Sequence, residues 1–209
     1  MRHVLMASLV LVALFGPAHP AAAQIVGVPY PPACTLPAVL APCPMGDASF
    51  AIHIRDIASN PIANCDVVLD FSACPGAFFC DSLPGDPYHL DPAARTLTAL
   101  TAPDGVVDLR PRVGGVGAVG SVRVYAYGIL LGAYALASFD QSGNGVVLLD
   151  LDPDFTTFTS KLGTTERTAD FDGNGVVDDA DQLLFFQHLS HSCNGWVDPV
   201  KRGTWGGLK

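Results

Sequence analysis

The 209-residue chain is expected to be mainly β with a small α module towards its C-terminal end, on three observations. Between residues 49 and 137, apolar and polar residues alternate along several short segments divided by turn residues, as in strands that bury one face. Further on, two stretches place oxygen-bearing side chains at every second position and run into Gly-Val-Val. Each is followed by apolar residues four apart, the spacing of one face of a short helix.

In the first region Phe50, Ile52 and Ile54 alternate with Ala51, His53 and Arg55, and Val67, Leu69 and Phe71 alternate with Asp66, Val68 and Asp70. Ser59-Asn60-Pro61 supplies a turn between them. Further strands are expected over 96–101, 106–109, 122–127 and 129–137, divided by Pro103-Asp104-Gly105 and by Gly114-Gly115. The last two strands read as a hairpin about Tyr127-Gly128. Several short strands with regular turns predict a β-sandwich.

The stretch Asp170-Phe-Asp-Gly-Asn-Gly-Val-Val-Asp-Asp-Ala-Asp181 has oxygen side chains at loop positions 1, 3, 5, 9 and 12 and glycine at position 6. That is the spacing of a calcium-binding EF-type loop, because a hard cation needs six or more oxygens at about 2.3–2.6 Å around one point. The expected ligands are the side chains of Asp170, Asp172, Asn174, Asp178 and Asp181 with the backbone carbonyl of Val176. Gly175 takes the sharp turn after position 5. The alternative is a solvated acidic turn.

The pattern begins a second time thirty residues earlier, at Asp140-Gln-Ser-Gly-Asn-Gly-Val-Val147, with Asp140, Ser142, Asn144 and the carbonyl of Val146 as candidate ligands. The two loops then diverge, for Leu151 falls where the closing carboxylate would stand. Phe185 and Leu189 lie four and eight residues after Asp181, and Phe158 and Leu162 lie four and eight after Asp154. Asp154 is therefore the counterpart of Asp181, and the first loop carries three extra residues somewhere between Val147 and Pro153. Asp150, Asp152 and Asp154 are the candidates to close it, and one or two calcium ions are expected in all.

Two such loops, each followed by a single helix, resemble the duplicated repeat of type I dockerins over Ser138 to Cys193. The resemblance implies two antiparallel helices, Asp154 to Leu162 and Asp179 to Leu189, with Val147 and Val177 meeting in a short backbone pairing. It also implies partner-binding residues on the helices, where Thr156, Thr157, Lys161, Gln187 and His188 stand with no readable partner code. Residues 49–137 resemble the immunoglobulin-like domains of invasin-type surface proteins, through the segments 55–69, 101–107 and 121–126. Such domains imply spacers and adhesive modules rather than catalysts.

At the N-terminus a basic start, an apolar run from Val4 to Phe15 and the small residues Ala21-Ala-Ala23 before Gln24 read as a secretory signal peptide over 1–23. The run is too short to span a bilayer, which takes about twenty apolar residues. A secreted or cell-surface location is expected. Pro29, Pro31, Pro32, Pro37, Pro42 and Pro44 make 24–48 a stiff, extended leader. Residues 194–209 form a basic, aromatic tail in which Trp196 is expected to act as a strap.

Six cysteines in an exported chain read as disulfides. Sequence alone does not determine their pairing. The simplest local loops are Cys34 with Cys43 and Cys74 with Cys80, which leaves Cys65 with Cys193 and a bridge between the two halves. His188, His191 and Cys193 have a spacing that could hold zinc, though a helix-end histidine pair beside a disulfide is the simpler reading.

The formal net charge is −9, and Lys161 and Arg167 are the sole lysine and arginine between Ser138 and Asp198. That balance suits cations and repels nucleic-acid phosphates. Hydrolase and phosphate-loop motifs are missing from the sequence. A non-enzymatic, secreted calcium-binding module is the expected function, with another extracellular protein or copies of the same chain as partners. The alternatives are a subunit of an extracellular filament or surface assembly and an accessory subunit of a polysaccharide-degrading complex.

Overall fold

The structure, a computed structural model, describes residues 27–149 and 153–196, Trp196 through its backbone. The signal-peptide segment, Asp150, Asp152 and Trp205 lie outside the described residues. In chain order the strands are β1 (Phe50–His53), β2 (Asp66–Asp70), β3 (Phe78–Phe79), β4 (His89–Asp91), β5 (Thr96–Leu100), β6 (Val106–Leu109), β7 (Val113–Gly114), β8 (Val116–Ala126), β9 (Ile129–Ala137), β10 (His191–Ser192) and β11 (Gly195–Trp196). Two helices, α1 (Pro153–Thr159) and α2 (Asp179–Gln187), lie between β9 and β10.

The chain is mainly β, in several antiparallel sheets. The largest has the order β4-β5-β2-β8-β9, and β1 pairs with β6 in a separate ribbon. Period-two alternation decides which side chains go inside. Val67 and Leu69 of β2, Leu97 and Ala99 of β5, and Val122, Val124 and Ala126 of β8 share one buried cluster with Ile52, Ile54, Val107 and Leu109 of the ribbon side. Transfer of this apolar area from water, at about 25 cal/mol per Å2, is what holds ribbon and sheet together. The β8–β9 hairpin turns at Tyr127 (φ 46°) and Gly128 (φ 76°), the doubly positive geometry of a type I′ turn that matches strand twist.

A second cluster joins Phe139, Val147, Phe158, Phe171, Val177 and Phe185 under the two helices. The helices meet through rings: Phe158 lies 5.2 Å from Phe185 and 5.4 Å from Phe171 between centroids. Both helices end sooner than the apolar spacing predicts. After α1, Lys161 N–H bonds to Phe158 O and Leu162 N–H to Thr159 O, and the Thr159 and Ser160 hydroxyls take the carbonyls of Phe155 and Thr157. Hydroxyl side chains that compete for helix carbonyls tighten and close the last turn.

The proline-rich segment is no free-standing leader from Gly27 onward. Thr35 pairs with His53, Leu40 forms a parallel bridge with Leu136, and Phe139 N–H donates to Pro42 O at 3.3 Å. Proline lacks an N–H but keeps its carbonyl, so an extended proline-rich chain still serves as an acceptor edge. Leu40 enters the first cluster and Cys43 the second.

The expected disulfides are corrected in the same way. Cys80 pairs with Cys193, with a Cα–Cα distance of 5.3 Å, in place of Cys74 with Cys80 and Cys65 with Cys193. Cys34, Cys43, Cys65 and Cys74 are free. Short sequence spacing misleads here because the leader is extended: Cys34 is held against the Arg55 backbone while Cys43 sits in the other core. Cys65 is buried within the β cluster, whereas Cys193 packs beside Gly145 of the first acidic loop. The observed bridge still ties the β body to the C-terminal half. Arg112 flanks it, donating to Asp81 O at 2.6 Å and to Cys193 O.

Candidate metal centre

Both acidic loops are folded by their own carboxylates. In the second, the Asp170 Oδ2 accepts the Gly175 N–H at 3.1 Å; in the first, the Asp140 Oδ2 accepts the Gly145 N–H at 2.7 Å. Gly175 and Gly145 have φ of 98° and 85°, a region costly for any residue with a Cβ, which is why position 6 is glycine in each.

Asp181 then draws the second loop shut, its Oδ1 accepting from Asp172 N–H at 3.1 Å and from Phe171 N–H at 2.6 Å, its Oδ2 from Asp178 N–H at 2.9 Å. Asp154 does the same in the first loop, with Oδ1 on Ser142 N–H at 2.7 Å and Oδ2 on Leu148 N–H at 3.2 Å. The amides of loop positions 3 and 9 are bonded in both cases, and in the second loop that of position 2, Phe171, as well. Since Leu148 and Asp178 are equivalent, the three extra residues fall between Leu148 and Asp154, of which 150–152 lie outside the described residues. Asp178 also caps α2, its side chain accepting from Ala180 N–H in a reciprocal capping box with Asp181.

Val147 and Val177 are fully buried, but they do not pair with each other. Val177 exchanges hydrogen bonds with Gly163 and Thr164 after α1, and Val147 with Ser190 and His191 after α2. Each loop is thus stitched to the segment that follows the other loop's helix.

The second loop brings oxygen atoms of Asp170, Asp172 and Asp181 within 4.8 Å of one another. Asp170 is fully buried, and its Oδ1 has no hydrogen-bond partner among the described residues. An ionised carboxylate oxygen left unpaired in a protein interior is costly, and a cation is the natural partner for it. Asn174 faces Asp178 across the loop, its Nδ2 3.5 Å from Oδ2, while its Oδ1 takes the Val176 N–H at 2.8 Å.

The first loop differs in kind. Asp140 is saturated: Oδ1 accepts from the Ser142 hydroxyl and the Gly143 and Asn144 amides, Oδ2 from Gly145. Asn144 Oδ1 takes the Val146 N–H at 3.0 Å. Position 9 is Leu148, so no carboxylate stands there.

The second loop has a balancing base. Arg167 Nη1 donates to Asp170 Oδ2 at 2.8 Å. The guanidinium is half-exposed and the carboxylate fully buried, so the pair screens Asp170 Oδ2 only. The signal was present in the i,i+3 spacing of Arg167 and Asp170. Lys161, the other base, is turned to Gln141 and Thr168, and burial lowers its pKa.

Burial pushes the Asp140 and Asp181 carboxyls above their ordinary 3.8, against the backbone N–H donors that pull them down. A raised folded pKa means that protonation favours the folded state: the contribution is complete below 3.8 and is lost as pH rises through the folded value. In chelator, lowering the pH from neutral should therefore relieve part of the cost of these two groups. With a cation bound in the second loop the sign reverses for Asp181, because the ion holds that carboxylate ionised. Melting curves across pH with calcium and with chelator should converge as the pH falls; parallel curves would contradict cation binding by Asp181.

Compared with protein-family models, characterised proteins and solved structures, the chain matches none.

Proposed function

We propose that the protein is a secreted, non-enzymatic module in which an immunoglobulin-like β-sandwich carries a dockerin-like pair of loops, with calcium as a structural ion in the second loop. The observation that carries this reading is the convergence of Asp170, Asp172 and Asp181 around the unpartnered, buried Asp170 Oδ1. Calcium at that point would be held by hard oxygen donors alone, as its chemistry requires. The ion would neutralise the carboxylates that α2 and its cap gather at one end of the helix, so binding and folding of this half are coupled.

The two loops should respond unequally. Asp170→Ala and Asp181→Ala are expected to weaken calcium binding by tenfold or more, about 1.4 kcal/mol each at least, while Asp140→Ala, whose carboxylate is already occupied by backbone donors, should weaken it less. Titration calorimetry on the single variants decides this, and equal losses would mean that both loops hold the ion.

The accessory-subunit reading draws support from α2, which exposes Leu183 by 60% and Phe186 by 41%. Apolar side chains on the outer face of a short helix suit a partner surface. Loss of binding to a cohesin-type module on Leu183→Lys would support it, and absence of any such binding by the native chain in calcium would remove it.

A further inference from the structure

A different set of donors meets beside Phe139, whose ring stacks on His188. The turn closed by Gly46 N–H on Cys43 O at 2.9 Å brings Asp47 back beside Cys43. From the far end of the chain, His188 caps α2 and His191 opens β10. Ligand atoms of these four side chains all lie within 4.8 Å of one another. His191 Nδ1 stands 3.6 Å from Cys43 Sγ and 3.0 Å from Asp47 Oδ2.

The arrangement around the set is that of a supported metal site. His188 Nδ1 lies 2.8 Å from Leu184 O. A carbonyl only accepts, so Nδ1 carries the proton and Nε2 keeps its lone pair. Backbone carbonyls on the remote ring nitrogen are the usual way that a metal-ligating histidine is oriented. The His188 ring is further fixed by stacking on Phe139, centroids 3.8 Å apart at 10°. Cys43 is fully buried, whereas Asp47 and His188 border an open cleft of about 480 Å3, which gives an ion a way in.

We propose that Cys43, Asp47, His188 and His191 form a second metal site, chemically distinct from the acidic loops, that takes Zn2+ or a similar borderline-soft divalent ion. Four donors at about 2.0–2.3 Å from zinc stand roughly 3.3–3.8 Å apart in a tetrahedron, so the set needs to contract by only about 1 Å at its widest. Sulfur and imidazole nitrogen suit zinc and are poor ligands for calcium. The site would fasten the proline-rich segment to the end of α2. The proposal does not depend on the calcium reading. It also assigns the histidine pair a cysteine other than Cys193, which the disulfide has taken.

The test uses the full mature chain, stripped of metal and then dialysed against trace zinc with calcium in excess. One zinc per chain is expected by elemental analysis. Replacement by Co2+ should give the near-ultraviolet thiolate charge-transfer band and the intense visible bands of a tetrahedral site. Cys43→Ser and His191→Asn should each weaken zinc binding by more than about tenfold while still unfolding cooperatively in chelator with the far-ultraviolet circular dichroism of the native chain, which shows that the variants fold. Three results would overturn the proposal: no retained zinc with Asp47 and His191 merely an ion pair beside an inert thiol, zinc retained equally by both variants, or Cys43 recovered in a disulfide by non-reducing peptide mapping.

Discussion

Adding calcium to the chelated protein is expected to raise its melting temperature by about 5–11 °C. If the dissociation constant is about 10 µM, calcium at one hundred times that concentration stabilises the folded state by about 2.7 kcal/mol, and each kcal/mol moves a chain of this size by roughly 2–4 °C. The source of the effect is local. Asp170 Oδ1 is buried without a hydrogen-bond partner among the described residues, and Asp172 and Asp181 converge on it with Arg167 serving only the other oxygen of Asp170. Without an ion the three carboxylates repel. The helix should loosen first, because Asp178 and Asp181 both cap α2 and close the loop. Scanning calorimetry with calcium and with chelator measures the shift, and hydrogen exchange shows whether α2 amides lose protection before those of β2 and β8. Coincident curves in the two conditions would remove calcium from the account.

Breaking the Cys80–Cys193 bridge is expected to cost more. It joins residues 113 apart, and the chain-entropy model gives about 4.7 kcal/mol for a loop on the order of one hundred residues. The double variant Cys80→Ala/Cys193→Ala should therefore lose up to about that amount in a denaturant titration. The loss has a structural side as well, since Arg112 spans Asp81 O and Cys193 O and its buried guanidinium relies on the bridge to keep those carbonyls in place. Non-reducing peptide mapping gives the direct check. Recovery of Cys193 joined to Cys65, or free, would contradict the fold described above, as would a double variant of undiminished stability.

Local features of this chain are written in short stretches of sequence, and those are the ones that sequence alone determined. Alternation of period two marks Val67 and Leu69 for burial because successive strand side chains point to opposite faces. Tyr127-Gly128 marks a hairpin because the turn needs positive φ at both positions. The loop spacing from Asp170 to Asp181 places glycine where the backbone turns left-handed and an aspartate where the loop closes, and the same arithmetic identifies Asp154 as the partner of Asp181. All of these depend on geometry within about a dozen residues.

Tertiary structure alone decided what is joined across long distances. Cysteine pairing follows Cα separations in the folded chain, and an extended proline-rich segment keeps Cys34 and Cys43 apart however close they stand in sequence. That segment belongs to both cores because Leu40 and Cys43 find separate apolar partners. Val147 and Val177 each bond to the stretch just beyond the opposite helix, a crossing that no periodicity records. Cys43 and Asp47 meet His188 and His191 only because the first stretch of the folded body lies against the last, and the chemistry of that meeting has no motif of adjacent letters to announce it.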